Sequence, residues 1–368
     1  TKWEEEKKEK LTSPRTGPII TIMTKGKSYF WVGLLIGVIL TSFTYSYLGR
    51  KQLSSPGQKS ARVLKMAHGL PVTHPVHEAI MFFAKRLEEL SGGQLSIQVY
   101  PSGQLGNETK CLEQLQLGTL DLTKTSAGVM GNFVNSMKVF SVPYIFRDED
   151  HYWSVLDGKL GGELLDILAV QDSGALSGFK GVCYYDSGSR NFYTNIQVKK
   201  PADLKGLKIR TMKDPVAMDM VQALGGSPTP IPWGELYTAL KQGVVDGAEN
   251  NPPSIVSSRH YEACKFLAMD HHSRIPDIVL MSAKKWDTLS LQEQGWLMDA
   301  AKESKELQKK LWKKASDDAM DVMRKNGVTI LDVETALFKK ASMPAVEKNL
   351  HGKIKELYEK IQTVSSGE

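Results

Sequence analysis

The fold is decided by residues 62–99, RVLKMAHGLPVTHPVHEAIMFFAKRLEELSGGQLSIQV, because strand and helix periodicities follow each other within this stretch. Residues 62–69 read as a strand. Thr73 or His74 can cap the next helix, with Pro75 in its first turn. Apolar residues then recur at helical spacing, and the last five positions alternate between apolar and polar. A strand–helix–strand succession predicts a parallel sheet with crossover helices.

The same alternation continues along the chain. A helix is predicted from Asn107 to Leu117, ended by Gly118, and a strand follows over 120–125. The pattern restarts after Lys180, with predicted strands at 181–185, 207–210 and 244–248 and predicted helices at 218–224 and 233–242. Two such blocks predict two α/β lobes.

A single long helix is predicted after Ser290, which forms a capping-box pattern with Glu293. Leu307, Leu311 and further apolar residues recur every four positions until Asn326-Gly327 ends the run. Some 35 residues correspond to about 50 Å. One lobe is too small to need that length, so we expect this helix to contact both lobes.

Composition excludes several classes of function. The chain has 368 residues, of which 41% are hydrophobic and 24% charged, and its net charge is +6. The composition is that of an ordinary globular protein, and the length suggests two domains. The basic residues are scattered, without a basic stripe and interleaved aromatics, so no nucleic-acid partner is expected. Three cysteines without a CxxC motif indicate buried free thiols and not a disulfide framework.

The N-terminal region predicts export. An uncharged apolar run over 30–43 follows Lys25 and Lys27, which is typical of a signal peptide or an uncleaved signal anchor, assigned to 29–48. We expect 1–28 to be a disordered or mis-annotated tail and 49–61 to be a linker. These segments predict an extracytoplasmic, periplasmic location, with a membrane contact if the anchor stays uncleaved.

Five motifs occur in a family-specific order. They are YPSGQLGNE (100–108), LEQLQLGTLDLT (112–123), VPYIFRD (142–148), PADLKGLKIR (201–210) and GGSPTPIPWGELYTALKQGVVDGAENNP (225–252). Together they resemble the substrate-binding subunits of TRAP transporters, the tripartite ATP-independent periplasmic family. The resemblance covers roughly 62–361.

The resemblance implies a two-lobed periplasmic binding protein of the α/β class, with crossing hinge strands and a long bridging helix. It places 62–186 and 276–315 in the first lobe and 187–275 and 316–362 in the second. It also implies a small organic acid as ligand and small and large TRAP membrane subunits as partners. Some relatives hold a metal beside the ligand, but no decisive set of metal ligands is seen in this sequence, so we expect no metal and no cofactor.

The resemblance assigns a carboxylate-binding site. Arg210, at a strand end that should face the interlobe crevice, would form a bidentate salt bridge with the ligand carboxylate. Arg190 would hold the far carboxylate oxygen or a neighbouring hydroxyl. Asn250 would donate to the same carboxylate, with Asn251 as the alternative.

Four further residues are candidates for ligand contact, each with a structural alternative. Trp233 either packs against the ligand or belongs to the core. Glu108 either accepts hydrogen bonds from sugar hydroxyls or stabilises a helix start. His74 either lines the site or caps a helix. Lys124 is either a second cationic contact or a structural ion-pair partner.

The ligand class rests on resemblance alone. The blocks LGNE, TKTSAGVMGNF and VDGAENNPPS resemble the branch that binds uronates and related sugar acids. Sialic-acid-type members carry a glutamate near the position of Ser126, which argues against sialic acid here. Simple C4 dicarboxylates and keto acids remain alternatives.

Two rival functions belong to other classes. An enzyme is not expected, because GxSxG, HExxH, Walker A and GxGxxG motifs are absent. His74 and His77 lie three apart and could form a metal pair, but we expect no metal. A ligand-sensing domain could share the fold, although it would need a partner chain for output.

Overall fold

The structure is a computed structural model that describes residues 33–42, 44 and 61–367. The chain divides into two compact units, Thr1–Lys59 and Ser60–Glu368. The fold and the candidate site both belong to the second unit.

The N-terminal unit contains a helix over residues 33–42. The predicted tail 1–28 lies outside the described residues, as does the linker 49–61 except for Ala61. The predicted signal segment 29–48 is described only in part. Within the described residues, no helix has both the length and the apolar character that a membrane crossing requires.

The second unit consists of strands and helices that alternate along most of the chain. The strands are β1 (Arg62–Ala67), β2 (Leu95–Tyr100), β3 (Leu122–Ser126), β4 (Phe179–Tyr185), β5 (Arg190–Thr194), β6 (Lys208–Thr211), β7 (Ser227–Pro230), β8 (Gly247–Asn250), β9 (Phe266–Ser273), β10 (Asp277–Ser282) and β11 (Thr329–Asp332). The helices are α1 (Pro75–Leu90), α2 (Glu108–Leu117), α3 (Ala127–Met130), α4 (Glu149–Asp157), α5 (Lys159–Ile167), α6 (Pro215–Ala223), α7 (Trp233–Lys241), α8 (Pro252–Ser257), α9 (Ala283–Trp286), α10 (Leu291–Lys325), α11 (Thr335–Asn349) and α12 (Gly352–Thr363).

The first sheet has the order β2-β1-β3-β10-β4. Strands β1, β2 and β3 are parallel, as their crossover helices predict. Strand β10 lies antiparallel between β3 and β4, so the sheet is mixed and the expectation of a purely parallel sheet is corrected. The reason is non-local, because β10 enters this sheet only after the chain has built most of the second lobe.

The second sheet has the order β11-β9-β5-β8-β6-β7. Strand β6 is parallel to β7 and β8, whereas β5 is antiparallel to both β8 and β9. The carboxyl ends of β6 and β8, at Thr211 and Asn250, therefore lie at the same edge of this sheet.

Two short segments cross between the lobes side by side. One joins β4 to β5 and contains Asp186, and the other joins β9 to β10 and contains Arg274. Arg274 Nη2 lies 3.0 Å from Asp186 Oδ2. Gln308 of α10 donates to the Asp186 carbonyl at 2.8 Å and accepts from the Asp186 amide at 2.7 Å. Side chains of both crossing segments and of α10 therefore hold the two segments together.

Helix α10 confirms the prediction of a helix that bridges both lobes. Ser290 and Glu293 form the capping box at its start, and its 35 residues end at Lys325. It contacts α1 and β4 of the first lobe and α8 and β11 of the second.

The division of the chain into lobes at residues 186, 275 and 315 remains a prediction. Helix α12 lies within the range assigned to the second lobe. Its apolar face, Ile354, Leu357 and Ile361, packs in the same core as Phe140 of the first lobe.

Candidate functional site

A cleft of about 730 Å³ lies between the two lobes, at the carboxyl ends of β3, β6 and β8. Such sheet edges are where open α/β folds bind ligands. All seven residues predicted from the sequence line this cleft: His74, Glu108, Lys124, Arg190, Arg210, Trp233 and Asn250.

Arg210 is a buried guanidinium for which residues 61–367 provide no anionic partner. It is 2% exposed, and Nε donates to the Ile231 carbonyl at 2.8 Å. Nη1 is buried without a hydrogen-bond partner, and no partner or salt bridge is found for Nη2 within residues 61–367. Burial lowers the pKa of Arg210, although a guanidinium stays charged at any physiological pH. A buried unpaired charge is costly, so an anion is the group that this geometry accommodates.

Arg190, in contrast, already has a carboxylate partner. Its Nε lies 2.5 Å from Glu249 Oε2, and its Nη2 donates to Glu249 Oε1 at 3.0 Å. Nη1 donates to Asn250 Oδ1 at 3.0 Å, which leaves one of the two Nη1 hydrogens. Arg190 therefore lies in the cleft wall with its charge compensated.

The Arg190–Glu249 pair continues into a buried charge network. His272 Nε2 lies 3.4 Å from Glu249 Oε2, and His272 Nδ1 lies 2.8 Å from Asp270 Oδ2. Burial opposes the charged forms, but Arg190 and His272 lower the pKa of Glu249 to about 2. Burial likewise opposes the charge on His272, but Asp270 and Glu249 raise the pKa of His272 to about 9. Glu249 and His272 are therefore both charged near neutral pH, and each of the cations Arg190 and His272 faces a carboxylate.

Asn250 and Asn251 differ in whether their side-chain amide atoms are already hydrogen-bonded within the protein. Asn250 Oδ1 accepts from Arg190 and from the Asn251 amide and side chain, at 2.9–3.0 Å. No partner is found for Asn250 Nδ2 in the described part of the chain. Asn251 Oδ1 caps α8 by accepting from Ser254 N at 2.9 Å. Asn250 thus keeps a free donor in the cleft, whereas both ends of the Asn251 amide are engaged.

Trp233 is the first residue of α7, and its side chain lines the cleft. The Arg210 guanidinium carbon lies 5.5 Å from its ring centroid, and the His260 ring lies 4.9 Å away. The ring also packs on apolar residues of both cores, which supports the core interpretation. It lines the cleft as well, and its contact with a ligand stays a prediction. Its position fixes Arg210 by a cation–π contact.

Glu108 and Lys124 form a second charged group in the first-lobe wall, together with Asp277. Lys124 Nζ lies 3.0 Å from Asp277 Oδ2 and 3.6 Å from Glu108 Oε1. Glu108 Oε1 also accepts from the Ser126 amide at 3.0 Å. Burial opposes the charge on Lys124, but the two carboxylates raise its pKa. Lys124 is therefore a neutralised cation, which agrees with the ion-pair alternative.

His74 is the N-cap of α1, where Nδ1 accepts from Val76 N at 3.2 Å. Nε2 lies 3.1 Å from Ser254 Oγ of the second lobe. Burial lowers the pKa of His74 well below its usual value, so the ring is neutral. The capping alternative holds, and the same side chain also lines the cleft.

Several residues of the site escape sequence reasoning. The sequence does not identify Asp277, Glu249 and His272 as site residues. Sheet pairing brings Asp277 to Lys124 and Glu249 to Arg190 and His272, whereas the contact of His272 with Asp270 lies within one strand. The one sequence signal for Glu249 is its position beside Asn250 in the VDGAENNP motif. The structure places it in β8, whose four residues are all buried.

Metal and thiol chemistry find no support in the described ranges. No three His, Cys, Asp or Glu side chains there form a group that could hold a metal ion. The three cysteines are free and buried, as predicted. Burial raises the pKa of Cys111 to about 11 and those of Cys183 and Cys264 to about 12. None of them is a thiolate near neutral pH.

Comparison with known proteins points to one family. The family model for bacterial extracellular solute-binding proteins, family 7, matches residues 66–353. The 2,3-diketo-L-gulonate-binding periplasmic protein YiaO of Escherichia coli K12 is 31% identical over 306 residues, which cover 82% of this chain and 91% of YiaO.

Solved structures agree. A TRAP periplasmic solute binding protein of Bradyrhizobium sp. BTAi1, in complex with D-galacturonate, is 40% identical with a TM-score of 0.77 and covers 82% of this chain and 99% of its own. Another, of Pseudomonas putida F1 with bound D-glucuronate, is 32% identical with a TM-score of 0.79 and covers 83% and 98%.

Proposed function

The chain belongs to family 7 of the bacterial extracellular solute-binding proteins, the periplasmic binding proteins of TRAP transporters, and we propose that it captures a sugar acid of the uronate class. It is a solute-binding protein and not an enzyme, as its lack of catalytic motifs predicts. In this proposal the lobes close on one ligand molecule, and the closed protein delivers it to the small and large TRAP membrane subunits.

One observation carries the proposal. Arg210 is buried in the cleft wall, and its terminal nitrogens have no partner in the described chain. A carboxylate would receive two parallel N–H donors from this guanidinium and would remove the cost of an uncompensated buried charge.

Two neighbours complete the carboxylate site in this proposal. Asn250 Nδ2 is a free donor, and Arg190 holds the Asn250 amide in the orientation that presents it. The remaining Nη1 hydrogen of Arg190 is assigned to the far carboxylate oxygen. Asn251 is assigned to the cap of α8 instead.

The rest of the cleft suits a hydroxyl-rich body. Trp233 offers an aromatic face, and Glu108 offers a carboxylate that accepts hydrogen bonds from hydroxyl groups. His74 is assigned to the wall as a neutral ring held by Ser254. The uronates bound to the Bradyrhizobium and Pseudomonas proteins combine one carboxylate with several hydroxyls, which is the chemistry that this wall fits.

A panel of acids tests the proposal. The purified full chain is titrated by calorimetry with D-glucuronate, D-galacturonate, 2,3-diketo-L-gulonate, succinate, pyruvate and sialic acid, and thermal unfolding is followed in parallel. Ligand at about 100 times Kd adds roughly 2.7 kcal/mol to the free energy of unfolding. We expect a uronate to bind most tightly. Binding of succinate or pyruvate alone would retain the transport role and remove the uronate assignment.

Small-angle scattering tests closure separately. Saturating uronate should reduce the radius of gyration, since the two lobes approach each other. An unchanged radius with measurable binding would contradict closure while leaving the ligand assignment intact.

A further inference from the structure

The first-lobe wall of the cleft contains an acidic cluster, defined here as Glu108, Asp277 and the Lys124 between them. One ammonium group faces two carboxylates, at 3.0 Å and 3.6 Å, so the cluster carries a net charge of −1 when all three groups are ionised. Burial raises the pKa of Asp277, and the ammonium group of Lys124 opposes that rise. The side chain of Asp277 is only 9% exposed, and the surface it retains lines the cleft.

Each carboxylate of the cluster keeps one unused oxygen. Asp277 binds Lys124 through Oδ2, and no partner is found for Oδ1 within residues 61–367. Glu108 uses Oε1 for both the Ser126 amide and Lys124, and no partner is found there for Oε2. An ionised carboxylate oxygen accepts hydrogen bonds from hydroxyl groups and repels another carboxylate.

A second carboxylate on the ligand would find no unpaired cation among the other buried cations of the described cleft. Arg190 is paired with Glu249, and Lys124 is shared by two carboxylates. Arg210 is therefore the buried cation of the described cleft that lacks a carboxylate partner. Lys110 and Lys213 also line the cleft, but both are exposed, so solvent screens their charges, and Lys110 is paired with Glu113 at 3.1 Å.

We propose that Asp277, together with Glu108, makes the cleft selective for acids with a single carboxylate and excludes dicarboxylates of the same carbon chain. This inference rests on the proposed function and deepens it. The carboxylate of the ligand binds Arg210 of the second lobe, and its hydroxyl end meets the acidic cluster of the first. Oxidation of that end to a carboxylate would place two negative groups together in a buried site.

The test compares D-glucuronate with D-glucarate, in which C1 is oxidised to a second carboxylate and the pyranose ring is open. Because the shape changes as well, the effect of charge is read from the change of the affinity ratio in a charge-removing variant. Calorimetric titration of the full chain at pH 7 gives both dissociation constants. In the wild type, glucarate should bind at least about tenfold more weakly. The Asp277→Asn variant keeps the shape of the side chain and removes its charge, so the ratio of the two constants should fall by about tenfold.

Asp157→Asn is the matched control, because Asp157 is also a first-lobe carboxylate paired with lysines, Lys305 and Lys309, and is not part of the cleft wall. It should leave the ratio unchanged. Glu108→Gln provides a second variant if Asp277→Asn does not fold, as judged by thermal unfolding, and it should shift the ratio in the same direction.

The outcomes separate the two proposals. Equal affinity of the wild type for both acids, or a ratio that neither variant moves, would overturn the role of Asp277 and leave uronate binding intact. Failure of the wild type to bind any uronate would overturn the proposed function and this inference with it.

Discussion

Glu249 is the residue whose removal should disturb the site most strongly without touching the ligand. Its carboxylate lies between two buried cations, Arg190 at 2.5 Å and His272 at 3.4 Å, and it is 1% exposed. The Glu249→Gln variant would keep the shape of the side chain and leave both cations without this partner. Removal of one member of a buried ion pair costs about 3–5 kcal/mol.

The magnitude also follows from the pKa values. The pKa of Glu249 is about 2 in the folded protein against an ordinary value of 4.5. That difference corresponds to about 3 kcal/mol of unfolding free energy, fully present above pH 4.5 and lost as pH falls towards 2. His272 behaves oppositely, because its pKa is raised from 6.5 to about 9. Its contribution is complete below pH 6.5 and is lost as pH rises through 9.

Urea unfolding of the ligand-free chain at several pH values measures both effects. The wild type should be most stable between pH 4.5 and 6.5. Glu249→Gln should lose about 3 kcal/mol there and show a weaker decline in acid. Glu262→Gln serves as control, since Glu262 is a partly exposed carboxylate of the same lobe and its ion-pair partner, Arg259, is exposed. Equal stability of Glu249→Gln and wild type at pH 6 would refute the reasoning.

Three other substitutions give further predictions. Ser290→Ala removes the capping box of α10 and should lower the free energy of unfolding, measured with urea, by about 1 kcal/mol. An unchanged free energy would mean that the cap does not stabilise the helix. Leu297→Ala, at a fully buried position of the same helix, should cost about 2–5 kcal/mol in the same assay; a cost below that of Ser290→Ala would contradict the packing described. Trp233→Ala removes the aromatic wall beside Arg210 and should weaken glucuronate binding in calorimetry; an unchanged Kd would remove Trp233 from the site.

Local signals account for the part of the fold that the sequence predicts. His74 before Pro75, Gly118 in the left-handed region and the Ser290–Glu293 capping box act within a few residues. Each fixes a helix end without reference to distant parts of the chain, so the helix bounds agree closely with those expected.

Non-local pairing accounts for what the sequence does not predict. Strand β10 enters the first sheet between β3 and β4, and this insertion brings Asp277 to Lys124, which lies 153 positions earlier. The Arg190–Glu249 and His272–Glu249 contacts likewise depend on the pairing of β5 with β8 and β9. Residue type and motif therefore identify which side chains line the cleft, whereas the fold determines which of their charges remain free.

The central claim is that the buried, unpaired guanidinium of Arg210 binds the carboxylate of the ligand. The Arg210→Met variant tests it most directly. Methionine retains much of the apolar stem and removes the unpaired buried charge. The ligand-free variant should unfold at the same temperature as the wild type or higher, while glucuronate affinity should fall by at least about a hundredfold, equivalent to about 3 kcal/mol. Arg324→Met, at an exposed site of α10, is the control. A variant that is less stable without ligand and still binds glucuronate with wild-type affinity would contradict the account.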